Sequence, residues 1–255
     1  MPRSPRQADE TDPETTVDTL LGGRVTLVQP RRGFRSSLDP VLLARFLAPP
    51  FGRFLDIGCG TGALSFSLLA GDTRATGVGV ELQPRLARLA ARGRERNSVG
   101  ERFTLIEGDV RAAATTASLA PESFDLVATN PPFRVLERGQ SSPDEERAVA
   151  NHELTLTLAE WLDVGRRLVK SNGRVGVVYA AERLPELLAG LADRDLTPVR
   201  LRAVHPFVDR AAVRVLVEAH RGSRRPLTLE PPLILHVGDP PRFTEETRAL
   251  LGPEG

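Results

Sequence analysis

At 255 residues and 27.7 kDa the chain is long enough for one large domain with appendages. Its 34 basic and 33 acidic residues leave a formal charge of +1, which excludes a gross electrostatic footprint for nucleic acid. No apolar run approaches the ~20 residues of a membrane span, and the polar N-terminus lacks a secretory apolar region. The single cysteine, Cys59, rules out an intramolecular disulfide, so a cytoplasmic protein is expected.

Residues 1–17, rich in Pro, Thr and acids, predict a disordered acidic tail. An N-terminal extension over 18–51 follows. In it Val25-Thr26-Leu27-Val28-Gln29 alternates as a strand, and Pro40 to Leu47 fits a helix with Asp39 as N-cap. From about residue 52 to 225 the pattern alternates strand and helix: 53–57, 63–70, 76–81, 84–96, 103–107, a weak helix near 111–119, and 124–129. Residues 134–150 carry Gly, Ser, Pro and charge and read as a loop, a natural place for a substrate lid. A long helix over 153–169 then leads through the turn Ser171-Asn172-Gly173 to a strand at 174–179. Helix 182–193 precedes strands 199–204 and 212–219, which close the sheet as an antiparallel pair, and a C-terminal extension covers 226–255. Such alternation implies a mostly parallel sheet.

Four features in this frame carry chemistry. Arg53-Phe54-Leu55-Asp56-Ile57-Gly58-Cys59-Gly60-Thr61-Gly62 is an apolar strand entering a glycine-rich turn before a helix, where a nucleotide-like ligand can approach the backbone. Its Asp-x-Gly-x-Gly-x-Gly spacing differs from the dinucleotide fingerprint. Cys59 reads as a small residue filling the turn rather than a nucleophile. The second strand ends in Glu81, followed by Leu82, and an acid there can accept from both ribose hydroxyls. The third strand runs into Gly108-Asp109-Val110, whose carboxylate could receive an adenine amino group.

The fourth feature is Thr129-Asn130-Pro131-Pro132-Phe133 at the end of the run Phe124-Asp125-Leu126-Val127-Ala128. The Asn130 side-chain oxygen and the Pro131 carbonyl can accept from an amino group and draw its lone pair out of conjugation. The prolines stiffen the turn, and Phe133 offers a face for a planar base. Each feature has a plainer reading: Asp56 as a helix cap, Glu81 and Asp109 as solvated strand ends, Asn-Pro-Pro as a turn. All four in register argue against those readings.

In order and spacing these elements resemble the class I methyltransferases that bind S-adenosylmethionine (SAM). The resemblance implies an α/β, Rossmann-like fold with a seven-stranded, mostly parallel sheet and a C-terminal antiparallel hairpin. It also implies SAM contacts from Asp56, Gly58, Cys59, Gly60, Thr61 and Gly62, from Glu81 and Leu82, from Asp109 and Val110, and from Asn130. The block from Gln29 through Arg35 and Asp39 to Ala44 is similar to that of the tRNA (adenine-N6) methyltransferases acting on adenine 37 of valine tRNA. That family places Arg35 and Asp39 beside the cofactor. Ala150 to Leu154, Glu182-Arg183-Leu184, Val204-His205-Pro206 and Pro231 to His236 are further landmarks, so the likeness spans roughly 18–248. The chain departs from the family in Phe133, where Tyr is more usual, in Asn151-His152-Glu153, and in the acidic tail.

The resemblance implies an enzyme that methylates a base amino group in RNA, most simply adenine N6 of a tRNA, with Asn130, Pro131, Pro132 and Phe133 as the catalytic tetrad. Guanine-N2 methylation, protein-glutamine methylation and a non-catalytic binding module are the alternatives. No Cys/His/carboxylate group has metal-ligand spacing, so no metal is expected, and a monomer is favoured. Between 195 and 225 seven arginines face three acids; phosphate contact and solvated surface stand as equal readings of that stretch.

Overall fold

The computed structural model describes residues 7–8, 12–33, 35–131 and 156–252. Its centre is a twisted sheet whose parallel strands are the apolar runs of the sequence: β4 (Arg53–Ile57), β5 (Thr76–Glu81), β6 (Phe103–Glu107), β7 (Phe124–Thr129) and β8 (Val169–Ala180). The antiparallel strands β9 (Leu196–His205) and β10 (Arg214–Arg221) complete it. In space the order is β9-β10-β8-β7-β4-β5-β6, the seven strands expected. Two short strands, β11 (Thr228–Leu229) and β12 (Leu233–Ile234), pair parallel with β9, so the C-terminal extension joins the same sheet. β4 is the switch point, since the chain builds β5 and β6 on one side and β7 on the other. Crevices at the carboxyl ends of such strands bind ligands.

Alternate residues of each strand feed two cores, as the two-residue period requires. Phe54, Leu126, Val178 and Leu216 face α1 (Asp39–Phe46) and α2 (Ala63–Gly71), while Leu55, Val127, Val177 and Val215 face α5 (Leu158–Leu168) and α6 (Leu184–Ala192). α3 (Pro84–Arg96) lies over β5 and β6 and buries Leu86 and Leu89 against Val28. The remaining α-helices among the described residues are the short α4 (Ala113–Thr116) and α7 (Glu245–Leu251).

Several expectations are corrected. The tail expected over 1–17 is structured from residue 12: β2 (Thr15–Leu20) pairs antiparallel with β3 (Val25–Pro30) on one side and with β1 (Gln7–Ala8) on the other. Thr15 and Thr16 are buried, Asp12 takes Arg92 at 3.3 Å, and Asp18, the first residue of the extension, takes Arg35. Residues 1–6 and 9–11 fall outside the described residues. α1 opens one residue early, with Leu38 in the cap position and Asp39 already helical; the Asp39 carboxylate accepts instead from Arg214 Nε at 3.1 Å.

α5 begins at Leu158, not 153, because Thr157 and Glu160 form a capping box that fixes the first turn there. The turn expected at 171–173 is absorbed into β8 as an irregularity, with Asn172 at φ 61°. Of the seven arginines of 195–225, four tie the fold together, a role that neither expected reading included; Arg210, Arg224 and Arg225 are exposed. Arg200 binds Glu218 and Glu230, Arg202 binds Glu246, and Arg221 binds Glu122.

Candidate cofactor site and active centre

The carboxyl ends of β4, β5, β6 and β7 bring the four sequence features to one edge of the sheet. The glycine turn leaves β4 with Gly58, Gly60 and Gly62 at φ 71°, 58° and 89°, a left-handed run that residues with a Cβ rarely adopt. The Gly58 and Cys59 N–H groups donate to Val80 O at 2.9 and 3.1 Å, which pins the turn onto β5. A Cβ at Gly62 would run into the Phe66 ring, while one built at Gly58 would meet nothing within 4 Å, so the turn faces open space there. That is the cradle a cofactor needs.

Gly62, at the N-cap of α2, has no side chain to offer the helix. Asp56 takes over: its Oδ2 accepts from Ser65 N at 3.1 Å and from Ser65 Oγ at 2.6 Å. Asp56 is 1% exposed, and burial raises its pKa to about 7 against the pull of the Ser65 bonds, with the neighbouring Glu81 charge adding to the rise.

Glu81 is buried as well. Its Oε2 accepts from Gly60 N at 2.8 Å and its Oε1 from Gln83 N at 2.8 Å, and burial raises its pKa against those two bonds. Both oxygens keep a second lone pair. Cys59 is buried and its thiol pKa is pushed up by burial and by the Asp56 and Glu81 charges, which excludes an activated thiolate. Thr61 Oγ1 is buried with no hydrogen-bond partner among the described residues. Leu82 is half-buried beyond Glu81, and Val110 joins the core under α5.

The Asp109 carboxylate is not open. Arg111 donates Nε to both its oxygens at 3.0 Å and Nη2 to Oδ2 at 2.7 Å, which holds the Asp109 pKa below the usual range. The same guanidinium gives Nη1 to Glu160 Oε1 at 3.1 Å, in the capping box of α5. Sequence reasoning missed Arg111 because nothing local announces a contact across 49 residues.

Asn130 follows β7 directly beside the glycine turn. Thr129 Oγ1 donates to Ile57 O at 2.8 Å and so clamps the end of β7 to the end of β4. Asn130 Oδ1 is buried with no hydrogen-bond partner among the described residues. A buried acceptor left unpaired costs about 1–3 kcal/mol, so its persistence points to a ligand that supplies the donor. Pro131 is half-buried; Pro132, Phe133, the loop expected over 134–150 and His152 lie outside the described residues.

Arg35 reaches Asp18, Thr16 Oγ1 at 2.9 Å and Pro30 O at 2.7 Å, and so holds the β2–β3 hairpin to the segment that leads into α1. Among the described residues no group of three His, Cys, Asp or Glu side chains could hold a metal ion, and no helix is long and apolar enough to cross a membrane.

Residues 38–181 match the methyltransferase small domain family. A tRNA1(Val) (adenine(37)-N6)-methyltransferase of Porphyromonas gingivalis is 29% identical over 207 residues, 79% of this chain and 80% of that protein. Its counterpart from Aeromonas hydrophila is 34% identical over 176 residues, 68% of this chain and 70% of that protein. Among solved structures, a predicted O-methyltransferase of Agrobacterium tumefaciens aligns with a TM-score of 0.67 at 26% identity, covering 83% of this chain and 94% of that one.

Proposed function

Since the chain belongs to the methyltransferase small domain family, and within it groups with the tRNA (adenine-N6) methyltransferases, we propose that it methylates the N6 amino group of an adenine in tRNA, at anticodon-loop position 37. The observation that carries the reading is the unpaired, buried Asn130 Oδ1 beside an open glycine cradle. A base amino group has the donor this atom lacks.

The residues present fit SAM. The cradle is open at Gly58, with the buried Gly60 and Gly62 shaping the turn behind it; Glu81 is the ribose anchor, and Asp109 with Val110 borders the adenine position. Asp56 orders the start of α2, while Cys59, Thr61, Leu82, Arg35 and Asp39 shape the surroundings. Two buried carboxylates whose ionised forms are penalised by burial also favour a cationic ligand. When bound, SAM supplies an activated methyl group on a sulfonium.

Asn130 Oδ1 and the Pro131 carbonyl accept from the target amino group, which pulls the nitrogen toward tetrahedral geometry and frees its lone pair. Phe133, two residues beyond Pro131, supplies the ring on which the base stacks after leaving its own stack. Much of the acceleration is positioning: the Thr129–Ile57 clamp sets Asn130 at a fixed place against the glycine turn. The same reading carries a monomeric, cytoplasmic enzyme with tRNA as its macromolecular partner.

The test is incubation with labelled SAM and unmodified bulk tRNA, followed by digestion and mass spectrometry of the labelled nucleoside. N6-methyladenosine at the anticodon loop is expected. N2-methylguanosine, or label in the glutamine of a protein substrate, would overturn the reading.

A further inference from the structure

The carboxyl edge of the sheet does not end at Asn130. Thr129 pairs with Val177 on β8, Ala180 of β8 with Arg214 of β10, Arg214 with Val204 of β9, and His205 of β9 with Ile234 of β12. The segments after β9 and β12 therefore rise from the same edge as the catalytic tetrad. At ~4.8 Å per strand the segment after β9 lies about 14 Å to its side and the segment after β12 about 19 Å.

This rim is built unusually for a surface. Phe243 is buried; the His236 ring stacks on it at 5.0 Å and 23°; Phe207, half-buried, lies against His236 at 5.6 Å and 38°. The His236 N–H donates to Pro206 O at 3.0 Å, which locks the two segments together. Around this ladder of rings stand Val208, Val213 and Val237, exposed by 81%, 43% and 49%. They are three of the five large exposed apolar side chains among the described residues. The Arg210 and Arg242 guanidinium groups are exposed and make no ion pair with a described residue, with Asp209 and Asp239 as the acids beside them.

We propose that this rim, formed by residues 206–213 and 236–242, is a stacking platform for single-stranded RNA. On it the nucleotides flanking the target base rest on Phe207 and Val208 while Arg210 and Arg242 meet phosphates. The proposal rests on the RNA-methyltransferase reading. The balanced local charge makes stacking the main attraction, which suits an unpaired loop whose bases have free faces. An RNA duplex shows phosphates first and would need a net positive surface.

The experiment measures binding of unmodified tRNA at fixed salt for the wild type, Phe207→Ala, Val208→Asp and, as control, Leu229→Asp, which lies opposite Leu201, four residues down β9 from the rim, and is 69% exposed. Cofactor-product affinity by calorimetry and single-turnover rate at saturating tRNA accompany it. Phe207→Ala and Val208→Asp should each weaken tRNA binding roughly tenfold, with the control, cofactor affinity and saturated rate unchanged. Because Val208 packs against little, its variant tests the platform even where Phe207→Ala disturbs the ring ladder. Wild-type affinity in both variants overturns the platform and leaves the activity standing. A Val208→Asp variant that turns a dimer into a monomer without changing tRNA binding overturns it in favour of self-association. A wild-type chain that neither binds nor methylates RNA takes the proposed function down first, and the platform with it.

Discussion

Glu81 Oε2 accepts from the Gly60 N–H at 2.8 Å, so the acid at the end of β5 closes the glycine turn that leaves β4. The residue read as a ribose anchor is thus also part of the cradle. Replacement by Ala removes the proposed ribose contacts together with the acceptor for the Gly60 and Gln83 N–H groups. Hydrogen bonds to a charged acceptor are worth about 1.5–3 kcal/mol each. SAM affinity in Glu81→Ala should fall at least about tenfold by calorimetry. Glu81→Gln should be nearly as poor, because its amide NH2 must face either the Gly60 or the Gln83 N–H. Unchanged affinity in a folded Glu81→Ala variant would sink the assignment.

Asp56 makes folding pH-dependent. Its pKa rises from 3.8 to about 7 in the folded chain, with burial as the main cause. The folded state therefore binds a proton that the unfolded state has released between those values, and stability must decline as pH climbs through that window. The contribution is complete below the unfolded pKa and gone above about 7. Asp56→Asn keeps an oxygen for both Ser65 bonds but carries no charge. Denaturant unfolding at pH 5 and pH 8 should show a larger loss for the wild type than for Asp56→Asn. Some slope should persist in the variant, since burial raises Glu81 in the same direction. Equal losses in the two proteins would refute the account.

The strands at 53–57, 76–81, 103–107 and 124–129 and the helix at 84–96 are where the sequence puts them, because each is a continuous apolar or amphipathic period bounded by Gly, Pro or Asn. The tetrad and glycine turn are legible for a related reason: their chemistry lies in consecutive residues. What composition hides is pairing at a distance. Asp12 looks like part of a solvated acidic tail until Arg92, 80 residues away, takes it up, as Arg35 takes up Asp18 just beyond. The Thr129–Ile57 clamp spans 72 residues, and four of the seven arginines of 195–225 (Arg200, Arg202, Arg214 and Arg221) are taken up by acids far from them in sequence or on other strands. Periodicity carries no information on such contacts.

Arg111 offers a way to divide the roles at the end of β6. It engages both Asp109 oxygens and Glu160, yet its side chain is 29% exposed. Pairs at such sites contribute about 0–1 kcal/mol. Arg111→Ala should therefore lower Tm by no more than about 4 °C, and high salt should shrink the difference. If Asp109 receives the adenine amino group, Asp109→Ala should weaken SAM binding about tenfold. Arg111→Ala should then change it far less. Wild-type SAM affinity in Asp109→Ala would leave that carboxylate serving Arg111 alone.

Asn130 should separate stability from rate. In the folded chain its Oδ1 is buried and has no partner among the described residues, which costs the fold about 1–3 kcal/mol. Asn130→Ala removes that burden, so the variant should unfold at the same denaturant concentration as the wild type or higher. The chemical step should go the other way. Losing one preorganised acceptor for the target amino group costs on the order of 3–4 kcal/mol, or roughly a hundred- to a thousandfold in single-turnover methyl transfer at saturating SAM. tRNA affinity, held by contacts elsewhere, should change little. Asn130→Asp should retain part of the rate, since a carboxylate still accepts. A variant that is destabilised and only mildly slowed would mark Asn130 as a structural residue at the strand end, and the amino-group mechanism would lose its central atom.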